Sequence, residues 1–153
     1  MIYCLDTSAI LDGWIRYYPP DHFPSLWDKI DGLIEQDRIF ASRQVLEELA
    51  GRDDGAHAWL KERIKIVVEI DLEQFGIAQE INDQYPGWAT KKRSGADPFV
   101  IALAELKGWK VLTGERLAGT IKPSKVKIPD VCKARGVEYG ALLDVARHEK
   151  WSF

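Results

Sequence analysis

The chain carries 24 acidic residues, and four of them stand inside or against apolar runs. Asp6 closes the run "IYCL". Glu48 lies in "SRQVLEEL", Asp97 opens "DPFVIALA", and Glu115 follows "VLTG". A carboxylate so placed is costly unless it is paired, hydrogen-bonded or bound to a cation. Each has a local reading as well. Asp6 with Thr7 and Ser8 could form an Asx or ST turn. Asp97 before Pro98 fits an N-cap followed by proline at the first helical position. Glu48, or its neighbour Glu47, could be a solvated helix residue, and Glu115 a loop acid. Gathered at one place, however, such acids repel one another, and some take up protons unless a cation neutralises them. A donor set made only of oxygen favours Mg²⁺ or Mn²⁺ over zinc.

Whether they gather depends on the elements that carry them. "IYCL" reads as a short buried strand, with loop residues from Asp6 through Pro20. "SLWDKIDGLIEQD" places Leu26, Trp27, Ile30, Leu33 and Ile34 on one helical face, with Ser25 as its cap. "RIFAS" is strand-like, and Ser42 then caps a helix that stops at Gly51. "AHAWLKER" is helical, "KIVVEI" a β-branched strand, and "DLEQFGIAQEINDQ" a helix ended by Tyr85-Pro86-Gly87. The apolar residues of "DPFVIALAELK" cover most of a helix, which should therefore be buried and end at Gly108. "WKVLTGE" is the next strand and its exit. "KVKIPDVC" reads as a short strand followed by a helix from Pro129, and "ALLDVARHEKW" as a terminal helix. Helices alternating with near-continuously apolar strands predict a three-layer α/β/α sandwich with a mainly parallel central sheet. In such sheets ligands bind beyond the carboxyl ends of the strands. That rule brings at least Asp6, Asp97 and Glu115 to one edge.

Bulk properties bound the alternatives. With 153 residues, 46% hydrophobic and 29% charged, the chain suits one globular domain over residues 1–153. A net charge of −3 gives no global basic signature, so a nucleic-acid ligand would need a local basic patch. The apolar run 99–104 is too short to span a bilayer. The N-terminus carries no charged-then-apolar signal sequence. Cys4 and Cys132 match no zinc spacing and read as buried free thiols, so a reducing, cytoplasmic location is expected.

The segments "LDTSAIL", "SRQVLEEL", "GADPFVIALA" and "VLTGE" resemble, in order and spacing, the four acidic motifs of PIN-domain nucleases, which include VapC-type toxins of toxin–antitoxin pairs. "VKIPDVCKARGV" is similar to a PIN-like subfamily of bacteria and archaea. The resemblance implies that Asp6, Glu48, Asp97 and Glu115 are catalytic and hold one or two Mg²⁺ or Mn²⁺ ions. Glu48 is chosen over Glu47 because the family acid directly precedes a leucine. Ser8 matches a small polar residue that assists the first acid, and Thr113 supports the fourth. Glu115 stands where the family more often has Asp. Asp130 either joins the site or caps the helix it starts. The implied activity is hydrolysis of RNA, leaving a 5′-phosphate and a 3′-hydroxyl.

Acids do not attract RNA, so basic groups must hold the strand. Lys91, Lys92 and Arg93, on the loop before Asp97, are the first candidates, and Arg43 and Arg116 flank the motifs. A solvated basic loop is the plain alternative. The resemblance also implies a homodimer and an antitoxin partner, and no membrane. Tyr17, Tyr18 and Phe23 could serve such contacts or pack in the core. Two rivals remain. A catalytically inactive PIN-like module would bind RNA or protein. A haloacid-dehalogenase-type phosphatase wants a second Asp where this chain has Ser8.

Overall fold

A computed structural model describes residues 1–52, 54–90 and 94–153. Five strands form one sheet in the order β3-β2-β1-β4-β5. They are β1 (Tyr3–Leu5), β2 (Ile39–Ser42), β3 (Val67–Val68), β4 (Lys110–Leu112) and β5 (Tyr139–Gly140). Every pairing is parallel, with Leu5 beside both Ala41 and Leu112. Successive strand residues face opposite sides of a sheet. Tyr3, Cys4 and Leu5 are nonetheless all buried. Both faces of the sheet are therefore covered, and the architecture is the expected α/β/α sandwich.

Eight α-helices flank the sheet: α1 (Thr7–Leu11), α2 (Pro24–Glu35), α3 (Arg43–Leu49), α4 (Ala56–Glu62), α5 (Leu72–Gln84), α6 (Asp97–Lys107), α7 (Ile128–Arg135) and α8 (Leu142–His148). Helix α6 packs on β1, β2 and β4 and against α5. Its residues from Val100 to Ala104 are at most 1% exposed, so it is buried nearly all round. Gly108, at φ 73°, ends it as expected. Asp71 caps α5 and Ser42 caps α3 through their side chains. Both cysteines are free and buried. Among the described residues no helix is long and apolar enough to cross a membrane.

Four local expectations give way. The stretch after Asp6 is not a loop: α1 runs directly into a π-helical turn, Asp12–Tyr17. That turn fits because Gly13 is bare. A Cβ there would lie 2.8 Å from Leu142 Cδ2 and 3.2 Å from the Trp27 ring. Ser25 does not cap α2, which begins at Pro24 with no side-chain cap. "KVKI" forms no strand; a 3₁₀ turn, Pro123–Lys125, leads into α7 at Ile128. The fifth strand is instead the two-residue β5.

Candidate active site

Parallel pairing puts the ends of β1 and β4 side by side, since Asp6 N–H donates to Leu112 O at 3.0 Å. The acids that follow these strands are thereby brought together, and α6 delivers the third with its first turn. Asp6, Asp97 and Glu115 each offer an oxygen, and these oxygens lie within 4.8 Å of one another. All the donors are hard oxygens, a set suited to Mg²⁺ or Mn²⁺.

Asp6 is 1% exposed and closely held. Its Oδ1 accepts from Ala9 N–H at 2.7 Å, so it does cap α1. Its Oδ2 accepts from Thr113 Oγ1 at 2.7 Å and from Ser8 Oγ at 2.9 Å. Those two hydroxyls in turn accept from the β4 exit, Ser8 from Gly114 N–H (2.8 Å) and Thr113 from Glu115 N–H (3.0 Å). One network thus ties the first and fourth acids together. Burial pushes the Asp6 carboxyl up to about 7, although the donors from Ala9, Thr113 and Ser8 pull the other way.

Asp97 corrects the capping expectation. It is the first residue of α6 rather than its N-cap, a place that Ala96 takes. Burial, reinforced by the charges of Glu115, Asp6 and Glu48, pushes its carboxyl up to about 9, while a hydrogen bond with the Ser94 side chain pulls the other way. Burial also raises Glu115, against the nearby Lys127 and the Ile128 N–H at the start of α7. Neither α7 partner is singled out by the sequence, because the contact depends on how the loop after β4 returns to the sheet edge.

Glu48 stands outside the three-acid group. Its Oε2 accepts from Ala96 N–H at 2.9 Å, which ties α3 to the start of α6, and its charge acts on Asp97 and Glu115. Glu47 pairs with Arg43 at 2.9 Å, so the two neighbouring glutamates differ in surroundings. Arg43 also meets Glu69 at 3.2 Å and is thus a paired cation. Arg116 is exposed on the rim of a cleft beside Glu115. Lys91, Lys92 and Arg93 lie outside the described residues.

Asp130 is not among the three clustered acids. Its carboxylate accepts from Lys127 N–H (2.8 Å), Ala118 N–H (2.9 Å) and Gly119 N–H (3.2 Å), so it caps α7 and fastens the loop beyond Glu115. Burial alone would raise its carboxyl, but these donors outweigh it and hold it below the usual carboxylate range. A lowered carboxylate stabilises the fold above its unfolded value, and the contribution is lost as pH falls through the folded one. Asp130→Ala is expected to cost about 1–2 kcal/mol near neutral pH and less in acid. Thermal melts across pH check this, and a penalty that grows in acid would contradict it.

Residues 3–153 match the family described as "Domain of unknown function (DUF4411)". No curated protein matches the sequence. Two of the solved structures that share the fold are these. A chain of VapBC2 from Rickettsia felis, bound to a DNA fragment from their promoter, aligns with a TM-score of 0.57 at 14% identity, over 92% of this chain and 98% of that one. A chain of FitAcB from Neisseria gonorrhoeae aligns with a TM-score of 0.53 at 20% identity, over 93% and 99%. The fold is the PIN-like α/β/α sandwich that these chains share.

Proposed function

The chain belongs to the DUF4411 family, and from its site we propose that it is a divalent-metal-dependent nuclease, an endoribonuclease acting as the toxin of a toxin–antitoxin pair. The observation that carries this reading is the convergence of Asp6, Asp97 and Glu115 at the exits of β1 and β4 and the start of α6. The likeness to chains of VapBC2 and FitAcB supports the toxin part. In this reading residues 1–153 form one domain, located in the cytoplasm, which works as a homodimer and is silenced by a protein antitoxin.

The donor set fits Mg²⁺ or Mn²⁺. Two of its carboxyls are raised to about 7 and about 9 when nothing neutralises them, which is what a cation would relieve. Asp6, Asp97 and Glu115 would hold the ion, with Glu48 adding negative charge at the flank. When bound, it supplies Lewis acidity, drawing charge from phosphoryl oxygens and easing deprotonation of the attacking water. Ser8 and Thr113 fix the Asp6 carboxylate so that its oxygens need no reorganisation when substrate arrives. Lys91, Lys92, Arg93 and Arg116 would meet backbone phosphates, which positions a strand without reading its sequence. Arg43, already paired with Glu47 and Glu69, would have to exchange partners to do the same.

The test is cleavage of a mixed RNA pool by the purified protein in Mn²⁺, in EDTA, and by Asp6→Asn. Fragments with 5′-phosphates are expected in Mn²⁺ alone, with at least about a hundredfold loss in the other two arms. Equal cleavage by wild type and Asp6→Asn would sink the assignment. Calorimetric titration with Mn²⁺ separates an inactive module, which shows no carboxylate-dependent binding.

A further inference from the structure

A cleft of about 610 Å³ opens from the acid site and shares Thr113, Gly114 and Glu115 with it. Such a volume is within the roughly 300–1,000 Å³ that takes a drug-sized ligand, and hence a nucleotide. Tyr17, Tyr18 and Tyr139 line it, with Arg116 near the Glu115 end. We propose that this cleft seats an unpaired stretch of the nucleic-acid substrate beside the scissile bond, with a base stacked on Tyr17 and a backbone phosphate on Arg116. The occupant's identity rests on the nuclease reading; the shape and charge of the cleft do not.

The acids lining the cleft do not bar a nucleic acid. Two acids besides Glu115 line the cleft, Asp12 and Asp144. Both are ion-paired, Asp12 with Arg16 at 2.5 Å and Asp144 with Arg147 at 2.9 Å. Asp144 also accepts from Ala141 N–H at 2.7 Å. Among the described residues Arg116 has no carboxylate within ion-pair distance, so its charge is available to a phosphate. Gly114 lets the Asp12 carboxylate approach the backbone at the cleft wall, since a Cβ there would lie 1.9 Å from Asp12 Oδ2.

The aromatic wall explains why the strand should be unpaired. The π-helical turn Asp12–Tyr17 ends at the cleft and leaves Tyr17 61% exposed, braced by Tyr18 edge-on at 6.3 Å. An exposed tyrosine ring is what a base stacks on, whatever its sequence. Bases within a duplex have both faces covered and cannot use it. A smaller apolar pocket with Phe23 and Phe153 continues the cleft through Tyr18, Leu142 and Leu143. A protein segment could use that end, but Arg116 and the acid site belong to the other.

The test is binding of a single-stranded RNA of about eight nucleotides carrying 2-aminopurine, in Ca²⁺, which suits an oxygen-donor site and neutralises the acids. Integrity of the RNA is checked on a gel. Wild type is expected to change the 2-aminopurine fluorescence on binding, and the same sequence as a duplex should not compete. Tyr17→Ala should weaken binding about tenfold, or ~1.4 kcal/mol, and abolish the fluorescence change, while Tyr17→Phe retains both. Arg116→Gln should weaken binding and flatten its salt dependence. Tyr17 is largely exposed, so an unchanged melting temperature shows that the variant is folded. Binding by Tyr17→Ala and Arg116→Gln equal to wild type would overturn the cleft assignment, even if the protein cleaves RNA. No binding of the single strand by wild type would overturn it too and leave the cleft to a protein. Tyr17-dependent binding by a protein that cleaves nothing in Mn²⁺ would uphold the cleft and sink the nuclease reading.

Discussion

Asp97→Asn is expected to abolish Mn²⁺ binding and RNA cleavage while making the metal-free protein more stable in mild alkali. The two effects have one cause. Asp97 is 5% exposed, and burial with three neighbouring acids pushes its carboxyl up to about 9. An unfolded aspartate loses its proton near pH 4. Between these values the folded, metal-free protein holds a proton that the unfolded chain has released. Stability therefore falls as pH rises through that window, the sign given by the native state binding more protons. An amide has no proton to give up and escapes this cost.

The melting temperature of Asp97→Asn in EDTA should thus exceed that of wild type by ~5 °C at about pH 8, with the gap closing toward about pH 4. The amide loses the favourable interaction of an acid with the first turn of α6, but that is worth only about 0.3–1 kcal/mol. Adding Mn²⁺ should reverse the order: wild type gains stability by mass action and the variant does not. Cleavage should drop by at least about a hundredfold. Asp97 is the better probe of this coupling than Asp6, because Asp6 also caps α1 and accepts from two hydroxyls. Melting scans against pH, with and without Mn²⁺, check the prediction. A variant less stable than wild type throughout, or one still stabilised by Mn²⁺, would show that the cluster is not a cation site.

What the sequence made legible follows from where the energy is local. Apolar runs and side-chain caps such as Ser42 carry their signal within a few residues, and those elements were readable. The strand-exit rule then needed only strand order in the chain to bring Asp6, Asp97 and Glu115 together. The π-helical turn was not readable, because Gly13 permits it only through contact with Leu142 and Trp27, far away in sequence. Strand β5 has two residues and pairs on one side, with β4, so its pattern is too short to read. Asp97-Pro98 misled by one position: the dipeptide is an excellent cap, yet Ala96 takes that place. Its amide meets Glu48 instead, so a side chain 48 residues earlier binds the helix start. The carboxylate that a cap would have engaged is left facing the other acids.

The same distinction between local and distant partners makes Thr113 the most informative residue after the acids themselves. It is 3% exposed, donates to Asp6 Oδ2, and accepts from Glu115 N–H. Thr113→Val keeps the shape and removes the hydroxyl, leaving Asp6 Oδ2 with Ser8 alone and the Glu115 N–H without this acceptor. Losing a partner of a ligating carboxylate typically costs about 10–100-fold in metal affinity or activity, and that is the expected loss here. The pH dependence identifies the mechanism. The Thr113 hydroxyl pulls the Asp6 carboxyl down from where burial would leave it. Without it Asp6 holds its proton to higher pH, so the midpoint of Mn²⁺ binding against pH should move up. Thr113→Ser should restore both affinity and midpoint, since the hydroxyl returns. Without metal, the stability loss from Thr113→Val should be greater at about pH 8 than at about pH 5, because the lost bond favoured the charged carboxylate. Calorimetric Mn²⁺ titrations over that range measure the midpoint. If Val and Ser lower the affinity equally with no shift in midpoint, Thr113 acts through packing at the strand exit, and the hydroxyl network around Asp6 does not tune the site.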